Sequence, residues 1–518
     1  MPGGMMEPRT ARPRTQPAHG HRTARRSPPH PPPADTAPPA APHGRTRGRP
    51  EGDPPVNTSA PQPPPHAPAA LSPGAGGRGE VPASQSAMRR YNAALVLGVI
   101  RDSPGISRAG IAERTGLAKT TVSQQVERLT AARLVTATGR QQRPGRGRPA
   151  TGLRLDAEAG PHGLGVEIGV DHLATCLVDL TGRVRDHRVR AGDNRDRSPA
   201  QVLARAARMA RTDLAGAAAR GVPVCGVGLA VPGLVETATG ALRLAPNLGW
   251  HDVDLRTALR TRLLEDAPAA APAGTSATAD ATAPGGGGPA WPGGLPVTVA
   301  NEADLAACAE LWSGAHGGLR DFVYVSGEIG IGAGFVFDGE LFAGADGFTG
   351  EIGHMCVDPD GARCRCGALG CLETVAGQDA VLGAAGLGGA APGEEAGDRF
   401  AALLERLATG DARAVGAVTQ AGRRLGTALA SMVNAMGFPA VVLGGNYAPL
   451  ESWLRPPLEE ELRVRVLTAR WSPVRVVRGA LGREAAARGA AQSATEAALA
   501  DPESYMEPRD TTPDGPRG

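Results

Sequence analysis

Apolar positions are spread unevenly along the chain, and where they recur they do so with two different periods. Through residue 87 only scattered aliphatic residues occur, without any period. Such a stretch cannot bury enough surface to offset its chain entropy, so residues 1–87 are expected to form a disordered tail. Helical spacing starts at about Met88, which is also a candidate translation start. In RRYNAALVLGVIRDSPG, Leu95, Leu97, Val99 and Ile100 mark a first helix, stopped by Pro104 and Gly105. ISRAGIAERTG gives a second, with Ser107 as N-cap, Ile111 as buried anchor and Gly116 as break. In LAKTTVSQQVERLTAARLV, Val122, Val126 and Leu129 fall on one helical stripe. Lys119 opens that helix, and its opposite face carries Thr120, Thr121, Gln124, Gln125 and Arg128.

Two short helices joined by a tight turn, the second with a hydrogen-bonding face, predict a helix-turn-helix whose second helix enters the major groove. There Gln pairs with adenine edges, and Thr and Arg reach phosphates or bases. Two β-prone arms follow around the tip RQQRPGRGRP, a winged hairpin. Its Arg146 and Arg148 suit an A/T-rich minor groove. Residues 88–156 are therefore read as a winged helix-turn-helix domain.

From residue 160 the period changes to that of buried strands. GLGVEIGVDHLATCLVDLTGRV predicts strand, turn and strand, and GVPVCGVGLAVPGLV another strand. LPVTVANEADLAACAELW predicts a strand feeding a helix at Ala303, and DFVYVSGEIGIGAGFVFDGEL two strands around a glycine-rich turn. GFPAVVLGGNYA adds a strand ending in Gly-Gly. Strands that feed helices, twice over, predict an α/β domain of two lobes with a cleft between them, spanning 160–495. The low-complexity stretch 266–294 reads as a surface insertion. Residues 496–518 read as a flexible C-terminal tail.

Composition and charge sharpen these boundaries. Of the 47 prolines, 22 lie in residues 1–87. That segment holds ten arginines against five acids, whereas residues 88–150 hold eleven arginines and the single lysine against three acids. Since the chain as a whole carries +3, the remainder is acidic by eleven charges. A compact basic segment beside an acidic body is the electrostatic footprint of a double-stranded DNA-binding head. No apolar run follows Arg25 and Arg26 to make an export signal, and no run is long enough to span a membrane. A cytoplasmic protein is expected, and in that compartment clustered thiols favour metal over disulfide.

Several stretches together resemble the ROK family (repressors, open reading frames, kinases), in its branch of regulators with a winged helix-turn-helix. They are APNLGW (245–250), VANEADLAACAELW (299–312), GIGAG (330–334), GEIGHMCVDPDGARCRCGALGCLE (350–373) and VVLGG (441–445). The resemblance implies an actin-like sugar-kinase fold, in agreement with the two-lobed reading. His354, Cys364, Cys366 and Cys371 form a one-His, three-Cys set with the spacing of a closed, structural Zn²⁺ site. Cys176, Cys225, Cys308 and Cys356 have no partner at ligand spacing and read as small buried residues. Glu351 and Glu373 flank the metal set, and the resemblance makes them, with His354, the residues that bind a sugar. It adds Asn301 and Glu302 to the same pocket.

The family's kinases carry Asn-Asp where this chain has Asn301-Glu302, and Asp-Ile-Gly-Gly-Thr at the first phosphate turn, where it has Glu167-Ile168-Gly169-Val170-Asp171. A longer acid displaces the base, Val170 holds the backbone away from phosphate, and Asp171 and Glu328 place negative charge where phosphate would sit. No catalytic residue is therefore assigned, with Glu302 at the base position. The expectation is a regulator, by resemblance a repressor, of carbohydrate genes that binds a sugar or sugar phosphate as effector and acts as a homodimer or homotetramer. Cleft closure would change the spacing of paired DNA-binding heads. An ATP-dependent sugar kinase is the alternative.

Overall fold

The computed structural model describes residues 84–141, 150–195, 197–265, 295–389 and 396–506. The expectations for residues 1–83 of the N-terminal tail, for Arg146 and Arg148 at the wing tip, and for the insertion at 266–294 lie outside the described residues, whereas residues 85–87 of that tail are helical.

The first helix of the head, α1 (Gln85–Asp102), begins ahead of Met88, its N-terminus closed by Ser84, which accepts the Ala87 N–H at 3.1 Å. Its buried stripe is Ala93, Val96, Leu97 and Ile100, so Leu95 and Val99 stand at the margin of the stripe and not in it. The short β1 (Ile106–Ser107) leads to α2 (Arg108–Thr115), which Ser107 caps through the Gly110 N–H and which ends at Gly116 with φ +72°. There glycine is the residue that takes a left-handed conformation without strain. The next helix, α3 (Lys119–Ala131), starts at Ala118 without a side-chain cap. The wing arms are β2 (Val135–Gln141) and β3 (Ala150–Leu155), paired antiparallel, with β1 added to the outer edge of β3.

Body and head share the chain in sequence order. A meander of β4 (His162–Ile168), β5 (His172–Val178) and β6 (Val184–Ala191) opens the first lobe, followed by α4 (Pro199–Ala219) and β7 (Val224–Val231). Next comes a small antiparallel sheet, β8 (Leu234–Glu236), β9 (Ala241–Ala245) and β10 (Trp250–Asp254), then α5 (Leu255–Leu264). The lobe is completed by β11 (Val297–Asn301) and α6 (Glu302–Ser313). Its sheet runs β11-β7-β4-β5-β6.

The second lobe repeats the plan. A meander of β12 (Phe322–Gly327), β13 (Ile331–Phe337) and β14 (Glu340–Leu341) is followed by α7 (Glu373–Ala376), α8 (Gln378–Ala384), α9 (Ala396–Ala408) and α10 (Ala412–Met436). Then β15 (Ala440–Gly445), α11 (Tyr447–Arg465) and β16 (Arg475–Arg478) give a sheet of order β14-β13-β12-β15-β16. In each lobe the first meander strand pairs antiparallel with the second and parallel with a later strand. This places the ends of β4, β11 and β12 around one cleft.

The chain closes with α12 (Ala485–Ala500) and α13 (Pro502–Met506), so residues 496–506 are helical and packed, not a flexible tail. More than half of α12 is alanine, and it lies directly on the first sheet. A side chain at Gly165 or Gly228 would collide with the carbonyl oxygen of Ala487 or Ala490. Small residues on both partners therefore set the approach of helix to sheet. At its far end Leu499 joins Leu97, Ile100, Val126 and Leu129 in the core of the head. Among the described residues no helix is long and apolar enough to cross a membrane.

Candidate functional site

The cleft is lined from both lobes. The turn after β4 brings Glu167, Gly169 and Asp171, the β11–α6 junction brings Asn301 and Glu302, and the β12–β13 turn brings Glu328. Asn301 caps α6, its Oδ1 accepting the Ala303 N–H at 2.7 Å and the Asp304 N–H at 3.4 Å. The same helix start points Glu302 into the cleft. Its Oε2 is sealed from solvent without a partner, and desolvation drives its carboxyl well above the usual range.

Glu351 and His354 come from the loop between β14 and α7, and Glu373 from the first position of α7; all three line the same cleft. Glu373 accepts the Ile331 N–H at 3.3 Å and faces Asn247 Nδ2 at 3.3 and 3.4 Å, so this one carboxylate ties both lobes. Burial, with Glu373 nearby, pushes Glu351 up to about 7. His354 is divided between two environments. Its Nδ1 lies 3.7 Å from Cys364 Sγ, and its Nε2 lies 3.8 Å from Glu351 Oε2 at the cleft.

The ligand atoms of His354, Cys364, Cys366 and Cys371 all fall within 4.8 Å of one another, and Cys366 Sγ is 3.7 Å from Cys371 Sγ. Four ligands about 2.3 Å from a tetrahedral Zn²⁺ have edges of about 3.7 Å, so the residues fit that ion. Gly370, at φ +68°, allows the loop to fold so tightly, since a side chain there would run into Asp358 O. Cys176, Cys225 and Cys308 are buried as expected, but Cys356 is exposed, its backbone bridging to that of Cys371.

On the other side of the cleft the turn after β4 is filled from within. The His172 ring lies against Gly169, where any side chain would collide with it. Its Nδ1 is 2.8 Å from Asp171 Oδ1 and its Nε2 is 3.2 Å from Glu167 Oε1. Burial alone would lower the His172 pKa, but Glu167 and Asp171 raise it well above the ordinary value. Arg483 Nη2 sits 3.4 Å from both Asp171 oxygens, and Glu167 Oε2 accepts the Ala487 N–H at 3.1 Å. The Glu167, His172 and Glu328 ligand atoms also lie within 4.8 Å of one another, yet both imidazole nitrogens are engaged by carboxylates. The group is an ion-pair network.

In the head, Lys119, Thr120 and Gln124 of α3 are exposed and Thr121 is half-buried. Gln125 is not on that face: it is only 5% exposed, with the core residues Val122, Val126 and Leu129 on its helix, and its Oε1 has no partner. Arg128 is turned to the C-terminal helices, where its guanidinium pairs with both oxygens of the buried Glu503 in α13, one of them at 2.6 Å.

The ROK family profile matches residues 163–282 and 293–497, and the MarR family profile residues 90–147. The chain belongs to the ROK family. It is 27% identical over 408 residues to the xylose repressor of Bacillus subtilis, covering 79% of this chain and 95% of that protein. A ROK family transcriptional regulator, a homologue of the E. coli MLC protein, superposes with a TM-score of 0.62 at 27% identity, over 81% of this chain and 99% of that one. A ROK family glucokinase from Streptomyces griseus, solved with glucose and AMPPNP, gives 0.51 at 26% identity, over 64% and 98%. With its winged head joined to the ROK body, the chain is a sugar-responsive DNA-binding repressor.

The ROK body brings Asn301, Glu302, Glu351, His354 and Glu373 to one cleft. Three members of that neighbourhood have no assigned role in the sequence reading. Asn247 stands in APNLGW, a stretch that marks the family without revealing that it touches Glu373. His172 directly follows the altered phosphate turn, and Arg483, 312 residues from Asp171, has no local signal at all.

Proposed function

We propose that a sugar held between Glu351, His354 and Glu373 is the signal that releases this repressor from its operator. The observation that carries the reading is the division of His354, with one nitrogen toward the thiols and the other at the cleft. A Zn²⁺ in the Cys/His set would fix the imidazole and the flanking carboxylates as a unit, and its role is structural. Asn247, Asn301 and Glu302 complete the polar lining. ATP has no role: the imidazole of His172 occupies the turn that would approach phosphate, and Glu302 replaces the shorter base.

Lys119, Thr120, Thr121 and Gln124 are the base- and phosphate-contacting face of α3, with Arg146 and Arg148 of the wing in the minor groove. The protein acts in the cytoplasm as a homodimer or homotetramer, on paired half-sites. Cleft and head are joined by α12, about 24 Å long at 1.5 Å per residue. Arg483, ahead of its N-terminus, and the Ala487 N–H hold the cleft network; Leu499 and Glu503 hold the head. Lobe closure on the sugar would move this helix and, through it, the heads.

The test is a gel shift on DNA upstream of this gene and its neighbours across a panel of sugars. One sugar should release the DNA; a complex indifferent to every sugar would remove the effector reading. Chelation of the metal should abolish sugar binding and expose residues 356–371 to hydrogen exchange while α1–α3 stay protected. Unchanged sugar affinity in metal-free protein would separate the two sites.

A further inference from the structure

Charge is distributed in the cleft in a way that bears on which sugar derivative it accepts. Six carboxyl groups line it, those of Glu167, Asp171, Glu302, Glu328, Glu351 and Glu373, and among the described residues neither lysine nor arginine does. The cations next to this lining are already engaged. His172 bridges Glu167 and Asp171, and Arg483 faces both Asp171 oxygens. Several backbone donors around the cleft are taken as well. Asn301 accepts from the first turn of α6, Glu167 accepts the Ala487 N–H, and Glu373 accepts the Ile331 N–H. A one-His, three-thiolate Zn²⁺ centre adds no positive charge, since three thiolates outweigh a divalent ion.

A phosphate ester is a near-dianion that needs either cations or free N–H groups to replace its hydration. The lining supplies no lysine or arginine, and Arg483 beside it is held by Asp171. Vicinal hydroxyls, in contrast, donate to carboxylates and accept from Asn Nδ2 and His Nε2, all of which are present. We infer that the effector is an unphosphorylated sugar, and that the cleft excludes the phosphate ester of that same sugar by charge. The inference rests on the reading of the cleft as the effector site and narrows the ligand class within it.

The experiment is isothermal titration of the full zinc-loaded chain with D-xylose, D-glucose and N-acetyl-D-glucosamine, each beside its terminal phosphate ester, with operator release as a second readout. The free sugar that binds should do so on the order of a hundredfold more tightly than its ester. In Asp171→Asn, which keeps the shape but releases Arg483 and His172 from a carboxylate, that ratio should narrow by at least about tenfold. An ester that binds as well as the free sugar overturns the inference and leaves the effector reading intact. A ratio untouched by Asp171→Asn means exclusion by size and overturns the role of charge. Binding of neither form removes the effector reading and the inference with it.

Discussion

Gln124 and Gln125 are neighbours on one helix, yet one is exposed and the other is nearly sealed. Gln124→Ala should weaken operator binding by about 1–3 kcal/mol at a single base position. Gln125→Ala should alter the thermal stability of the head without changing which bases are preferred, as a set of single-base operator variants would reveal. His172 is a second case in which neighbours decide the role. Replacing it by Gln leaves Glu167, 1% exposed, without its cation and should cost about 3 kcal/mol in urea unfolding. Because the native His172 pKa is raised above 6.5, its contribution is complete below pH 6.5 and fades as pH rises through the native value. The groups facing it are Glu167, Asp171, Glu328 and Arg483. The stability gap between wild type and His172→Gln should accordingly be widest in mild acid and close at alkaline pH.

At the scale of elements, α3 lacks the cap that α2 and α4 have. Ala118 has extended backbone dihedrals (φ −58°, ψ 141°) and so already suits a capping side chain. Ala118→Ser should stabilise the recognition helix by about 1 kcal/mol, read as slower hydrogen exchange over its first turn. The two strands of the wing, the capped α2 and the helix break at Gly116 were legible because each depends on residues within a few positions. Of the four positions read for the stripe of α1, Leu97 and Ile100 are buried and Leu95 and Val99 are not. Leu95 and Val99 are as apolar as Val96 and Leu97, and only the position of α2, α3 and the C-terminal helices decides which of them is covered.

For the whole molecule, the repeated sheet order in the two lobes explains why one fold serves both kinases and regulators: the cleft persists while its lining changes. Restoring kinase chemistry should require several residues at once. Glu302→Asp alone should give no sugar-dependent ATP consumption in a coupled assay. It should appear, if at all, only when residues 167–171 also become Asp-Ile-Gly-Gly-Thr, since His172 and Arg483 would otherwise still be held by carboxylates in the phosphate turn. ATP turnover by Glu302→Asp alone would mean that the ion-pair network does not block the nucleotide.

The sequence by itself determined the helix-turn-helix, the two-lobed α/β body and the one-His, three-Cys set. Each is written in local periodicity or in fixed spacing within a short motif, such as the eight positions that hold Cys364, Cys366 and Cys371. Tertiary structure alone decided the rest. It buried Gln125 and paired Arg128 with Glu503. It exposed Cys356, placed Leu499 in the core of the head, and set Arg483 and His172 against Asp171. These outcomes depend on groups hundreds of residues apart meeting in a low-dielectric interior, where a charge must find a partner and a small residue must admit a helix. No local pattern records which distant group will be there.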